Sequence, residues 1–189
     1  MGKAQVVDTQ TKIIEAALFC VKKWGVEKVT LNDIAKEAGV TRPTVYSYFK
    51  TRDEVIRYAL LQSAYGFAEK LMKQINKYET PADRLLESFL YALKHLPKEP
   101  YLELVTDTGL SQILNEHALN TPAGMEISRG LFKVIFKDHV MPEAELDEVI
   151  EVTTRLMLSL LVLEGPKKRS DKEMREFLQR RLLPSVGLA

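Results

Sequence analysis

The sequence predicts an all-α chain of about nine helices: three short ones, one long connecting one, then five more. Three observations carry that prediction. Apolar residues recur at i, i+3, i+4 and i+7 in segment after segment, the period of a helix that buries one side. Only 9 glycines and 8 prolines occur in 189 residues, and the prolines punctuate rather than cluster. The stretch from Thr30 to Asp53, TLNDIAKEAGVTRPTVYSYFKTRD, reads as two short helices joined by a tight turn, with a third beginning at once. A composition of 46% hydrophobic and 28% charged residues suits a soluble globular protein, and the length suffices to bury a proper core.

Residues 1–8 are expected to form a loose polar arm. The first helix is predicted over Thr9–Trp24, with Ile13, Ile14, Ala17, Leu18 and Val21 on one face and Gly25 as its stop. Thr30 is a natural N-cap for the second, whose apolar positions are Leu31, Ile34, Ala35 and Ala38. Gly39 can take the left-handed conformation that ends it, and Val40 fills the gap between helices. Thr41 caps the third helix, where Pro43 is tolerated in the first turn. Val45 and Phe49 turn inward there; Pro43, Thr44 and Ser47 lie opposite, Tyr46 and Tyr48 flank them, and Arg42 stands at the tip. Such an outer face suits a DNA major groove, although spacing alone also fits a surface helical hairpin.

Thr51 and Glu54 are placed to form a capping box for a long helix reaching about Tyr78, with Val55, Ile56, Ala59, Leu60, Phe67, Leu71 and Ile75 in helical register. About 25 residues at 1.5 Å each give roughly 38 Å. Its first turns must pack on the head and its later ones on the remainder, which makes it a lever. Thr80-Pro81 starts the next helix, carrying Leu85, Leu86, Phe89, Leu90 and Leu93, and Pro97 and Pro100 break it. An interrupted helical segment from Leu102 to Leu114 is expected to bend or split near Gly109. Thr121-Pro122 opens another helix, buried through Leu131, Phe132, Ile135 and Phe136. The helix Glu143–Glu164 is closed by Gly165-Pro166 and is apolar on more than one side, so it belongs inside a body or in an interface. Lys167-Lys168-Arg169 is read as a solvated loop. A capping box from Ser170 to Glu173 then starts a last helix with Met174, Phe177, Leu178 and Leu182.

Chemistry-bearing patterns are missing from the sequence. His95, His117 and His139 stand in separate segments without a partner at i+3 or i+4, so no metal site is expected. No nucleophile elbow, Walker or dinucleotide glycine pattern occurs; neither a cofactor nor an enzymatic activity is expected. Cys20, the single cysteine, fits a small buried hydrophobe in a reducing cytosol. MGKAQVVDTQTK contains no apolar h-region, and Leu156–Leu163 is too short a run to cross a bilayer, so the expected location is the cytoplasm, away from membranes. Net charge is only +1, but residues 1–60 carry 10 Lys/Arg against 7 Asp/Glu while 61–189 carry 17 against 19. The basic end coincides with the paired short helices.

The residues Thr30, Ile34-Ala35, Ala38-Gly39-Val40-Thr41, Thr44-Val45-Tyr46, Tyr48-Phe49 and Arg52-Asp53 closely resemble, in register, the DNA-binding domain of the TetR/AcrR family of bacterial transcription regulators. That resemblance covers roughly residues 10–60, and beyond it only the architecture is similar. It implies a helix-turn-helix DNA-binding domain over 1–52 and a helical ligand-binding and dimerisation domain over 53–189. By the same resemblance, Arg42, Pro43 and Thr44 face base edges, Thr30, Tyr46, Ser47, Tyr48, Lys50 and Arg52 surround them, chiefly holding phosphates, and Thr41 is a further DNA-binding residue. It further implies a homodimer built on the last two long helices (Leu156, Leu160, Phe177, Leu178). The aromatic and Met supply Tyr65, Phe67, Phe89, Tyr101, Phe132, Phe136 and Met157 would suit a pocket for an apolar or amphipathic effector, and equally a filled core. The expected function is a ligand-responsive repressor that binds a palindromic double-stranded operator. The alternative is a similar DNA-binding protein controlled by a protein partner.

Overall fold

The computed structural model describes residues 2–99, 122–163 and 165–188. Its described residues form eight α-helices and no strand. These are α1 (Gly2–Trp24), α2 (Leu31–Glu37), α3 (Arg42–Tyr48), α4 (Arg52–Ile75), α5 (Pro81–His95), α6 (Pro122–Ile135), α7 (Glu143–Val162) and α8 (Asp171–Arg181). Short 3-10 turns follow α5 at Leu96–Lys98 and α8 at Pro184–Val186. The interrupted segment expected around Gly109, with Tyr101 and His117, lies outside the described residues. No described helix is long and apolar enough to cross a membrane.

Two compact units divide the chain: the first runs to Gly66 and takes in Glu99, and the second holds Phe67–Lys98 and the described residues from 122 onward. The expected boundary after residue 52 is therefore displaced into α4. The reason is the first unit's core: Ile13, Ala17 and Val21 of α1, Ile34 of α2, and Val45 and Phe49 are joined by Val55, Ile56, Ala59 and Leu60 of α4. Three short helices cannot close a core alone, and the first turns of α4 complete it. Residues 2–8, expected as a loose arm, extend α1 instead. No proline interrupts KAQVVDT, so Thr9 need not begin the helix.

Local chemistry explains the helix ends. Thr30 caps α2 and forms a capping box with Asp33: the Asp33 amide donates to Thr30 Oγ1 (3.2 Å) and the Thr30 amide to Asp33 Oδ2 (2.9 Å). Hydrogen bonds from the Thr30 side chain and backbone hold Asp33 below the usual carboxylate range. Gly39 ends α2 at φ +66°, where a side chain would be strained. At Thr51 half of the expected box is present: the Glu54 amide donates to Thr51 Oγ1 (3.1 Å), but the Glu54 carboxylate accepts from the Lys50 amide (2.6 Å).

The second unit centres on α5, which meets α6, α7 and α8. Leu85, Leu86 and Phe89 of α5 are buried with Ile135 and Phe136, Val149 and Ile150, and Leu182. Arg84, in the first turn of α5, has no exposed surface. It donates from Nε to Ile135 O (2.7 Å), from Nη1 to Tyr78 O and Glu79 O (both 3.1 Å), and from Nη2 to Asp138 Oδ2 (2.7 Å). One guanidinium thus satisfies carbonyls at the end of α6 and in the turn after α4. Arg129 binds Asp147 bidentately (2.9 and 2.6 Å), tying α6 to α7, and Arg175 pairs with Glu87 to tie α8 to α5.

Two expectations change here. Leu178 is fully buried within its own chain, so it is a core residue and cannot face a second copy. The loop expected to be solvated is partly engaged: Lys167 pairs with Glu173 (2.9 Å), and the Arg169 guanidinium sits 4.4 Å from the Phe177 ring centroid. The aromatic and Met positions read as pocket candidates fall in both units. Phe67, Phe89, Phe132 and Phe136 are buried within the second unit, Met157 is half-buried, and Tyr65 belongs to the first unit.

Candidate nucleic-acid interface

The third helix is held by its back. Val45 and Phe49 are buried in the first unit's core, and Tyr48 packs against it, leaving the opposite side of α3 to solvent. Thr41 caps the helix, accepting from the Thr44 amide (3.3 Å), and its Oγ1 lies 2.8 Å from Thr44 Oγ1. Ser47 Oγ donates to Thr44 O (2.7 Å). Arg42 is laid along the exposed side: its guanidinium sits 5.4 Å from the Tyr46 ring centroid, and Nη2 donates to Tyr46 Oη (3.1 Å). The ring face and the hydroxyl of Tyr46 together favour this placement of the cation.

Beside α3 runs an open groove of about 540 Å³. Its lining comes from three stretches of chain: Val29, Thr30 and Leu31 at the start of α2, Arg42 and Tyr46 of α3, and Lys50, Thr51 and Arg52 at the start of α4. Five of the ten predicted contact residues therefore line this shallow groove. Pro43 and Ser47 lie outside it on the exposed side of α3, with Thr44 half-buried between them. The Lys50 ammonium has no partner among the described residues and is free to meet a phosphate. Glu27, also in the lining, opposes that charge.

Arg52 departs from its expected role. Its Nε donates to Val29 O (2.5 Å), Nη2 donates to Val26 O, and Nη1 donates to Asp53 Oδ1 (2.8 Å). A guanidinium so committed is built into the head. The sequence reading also missed Glu54 as the holder of the Lys50 amide. The available signal was an acidic residue four positions after Lys50, obscured because Thr51–Glu54 itself reads as a capping box.

Residues 13–59 match the family described as "Bacterial regulatory proteins, tetR family". Over 174 residues the chain is 42% identical to the HTH-type transcriptional regulator SrpR of Pseudomonas putida, covering 89% of this chain and 80% of SrpR. It is 43% identical over 111 residues to TtgR, an HTH-type transcriptional regulator of P. putida, covering 59% of this chain and 50% of that protein. With the protein named "Probable acrEF/envCD operon repressor" of Escherichia coli K12, identity is 31% over 100 residues, covering 52% of this chain and 45% of that one. The chain thus spans about half the length of these last two relatives. The crystal structure of the TetR family repressor AlkX from Dietzia sp. has the same fold, with a TM-score of 0.64 at 18% identity over 94% of this chain and 95% of that one. A helix-turn-helix head followed by a larger helical body defines a class of transcriptional regulator. This chain belongs to the TetR family.

Proposed function

We propose that the chain is a repressor that binds a palindromic operator as a homodimer and leaves it when a small apolar or amphipathic molecule binds the body. The observation that carries the DNA reading is the exposed side of α3, with Arg42 laid on Tyr46 beside a groove bearing an exposed Lys50. Arg42 then reads a guanine O6/N7 edge while Thr30 and Lys50 hold phosphates. Two heads reading one palindrome require a two-fold dimer. The apolar second half of α7 and its C-cap support this, since Val162 and Leu163 stay 47% and 67% exposed in the single chain. Helix α4 contributes to both units and is the element through which an effector in the body acts on the head.

Footprinting on the DNA upstream of the chain's own gene, repeated with a metabolite library, tests this. The expected result is protection of two half-sites about one helical turn apart, lost with one class of compound. Absence of protection on any sequence selected from random duplexes would refute it. A 100-fold release requires roughly 3 kcal/mol of differential affinity, and operator DNA must weaken effector binding by the same factor. Calorimetry on free and DNA-bound protein that gives equal effector affinities would end the idea of a ligand switch.

A further inference from the structure

The first turn of α4 bonds to two stretches of chain that border the groove beside α3. Toward one, Arg52 donates to Val29 O (2.5 Å) and to Val26 O, gripping the α1–α2 connection immediately before Thr30, the N-cap of α2. Toward the other, the Glu54 carboxylate accepts from the Lys50 amide (2.6 Å), gripping the chain just after α3. All three Arg52 nitrogens donate within the head, the third to Asp53 (2.8 Å). We propose that Arg52, with Glu54, is a positioning residue for DNA recognition: it sets the groove opening, and so the placement of Thr30 and Lys50 beside the reading side of α3. The contribution resides in the geometry of the guanidinium fork rather than in its charge. A planar fork reaches two carbonyls of one loop together, whereas a lysine ammonium is a point charge that cannot reproduce the pair. This inference rests on the reading that the head binds DNA.

The test uses the full chain and a duplex that the wild-type protein selects from a random-sequence library. Affinity is measured at several salt concentrations, at a temperature where urea titration shows each variant fully folded. Trp24, the single tryptophan, lies two residues before Val26 and reports on the gripped loop by its emission. Arg52→Lys is expected to bind at least tenfold more weakly at every salt concentration, with the wild-type salt slope and altered Trp24 emission in the free protein. Glu54→Ala is expected to weaken binding likewise, and Glu54→Gln, which keeps an acceptor, to restore it. A loss below tenfold in Arg52→Lys, unchanged Trp24 emission, or a salt slope reduced by about one per head in Arg52→Met would make Arg52 a phosphate contact and overturn the proposal. Where Arg52→Lys does not fold, the Glu54 pair decides, and wild-type affinity in Glu54→Ala overturns it. A wild-type protein that retains no duplex would instead end the DNA reading itself.

Discussion

Two arginines of this chain do opposite things with the same group. Arg42 lies on the surface with its fork against Tyr46, open to a ligand. Arg42→Ala should relax preference at one base pair in each half-site, costing about 1–3 kcal/mol there, as competition with single-base-pair variants of the operator would measure. Tyr46→Phe keeps the ring beneath the guanidinium and removes only the 3.1 Å hydrogen bond, so the preference should persist with reduced affinity. Equal preference in Arg42→Ala and the wild type would remove Arg42 from base readout. Arg84 is wholly buried and spends its donors on Ile135, Tyr78, Glu79 and Asp138. Arg84→Leu leaves those carbonyls without donors and should cost on the order of 3 kcal/mol, seen as an earlier urea transition in helix content. An unmoved transition would show that water or relaxation replaces the guanidinium. Nothing in the sequence marks Arg84: within PADRLLESF it looks like a solvated position, because a pattern of polarity cannot show that an arginine finds a carbonyl 51 residues away and a carboxylate 54 away.

At the scale of elements, the helix starts were legible because capping chemistry is local. Thr30, Thr41, Thr80 and Ser170 each accept a backbone amide three residues on, as their spacing suggests. The start of α1 was not, since Thr9 could cap a helix and yet lies inside one. Periodicity likewise shows that Val55, Ile56 and Ala59 are buried without showing against what, which is why the first unit runs further into α4 than expected. The role of Arg52 was hidden for the same reason, its partners being carbonyls of a loop 23 and 26 residues earlier. The cap of α8 yields a pH prediction. Hydrogen bonds from the Ser170 backbone, Lys167 and the Ser170 hydroxyl lower Glu173 from 4.5 to about 2. A depressed carboxylate stabilises the fold above its ordinary value and loses that contribution as pH falls toward its folded value. The stability difference between wild type and Glu173→Gln should therefore be full above about pH 4.5 and fade toward pH 2. A difference independent of pH over that window, in urea midpoints, would show that the cap acts without its charge.

At the scale of the whole molecule, what matters is apolar surface that one chain leaves uncovered. In α7 the first half is anchored: Leu146, Val149, Ile150 and Thr153 are buried against the second unit. From Leu156 onward no described residue of α7 is fully buried, although the run LMLSLLV is almost wholly apolar. Water against such a strip costs roughly 25 cal/mol per Å², so a second copy that covers it is stabilised in proportion to the area removed. Leu160 and Leu178 separate this account from simple core packing, because they were expected to act alike and sit differently: Leu160 is half-buried and Leu178 has no exposed surface. Leu160→Glu should therefore give monomers that keep their helix content and lose operator binding. Leu178→Glu places a carboxylate in the core and should unfold the second unit instead. Sedimentation with circular dichroism distinguishes the two outcomes. A Leu160→Glu protein that still sediments as a dimer and binds the operator would put the contact between copies elsewhere than on the second half of α7.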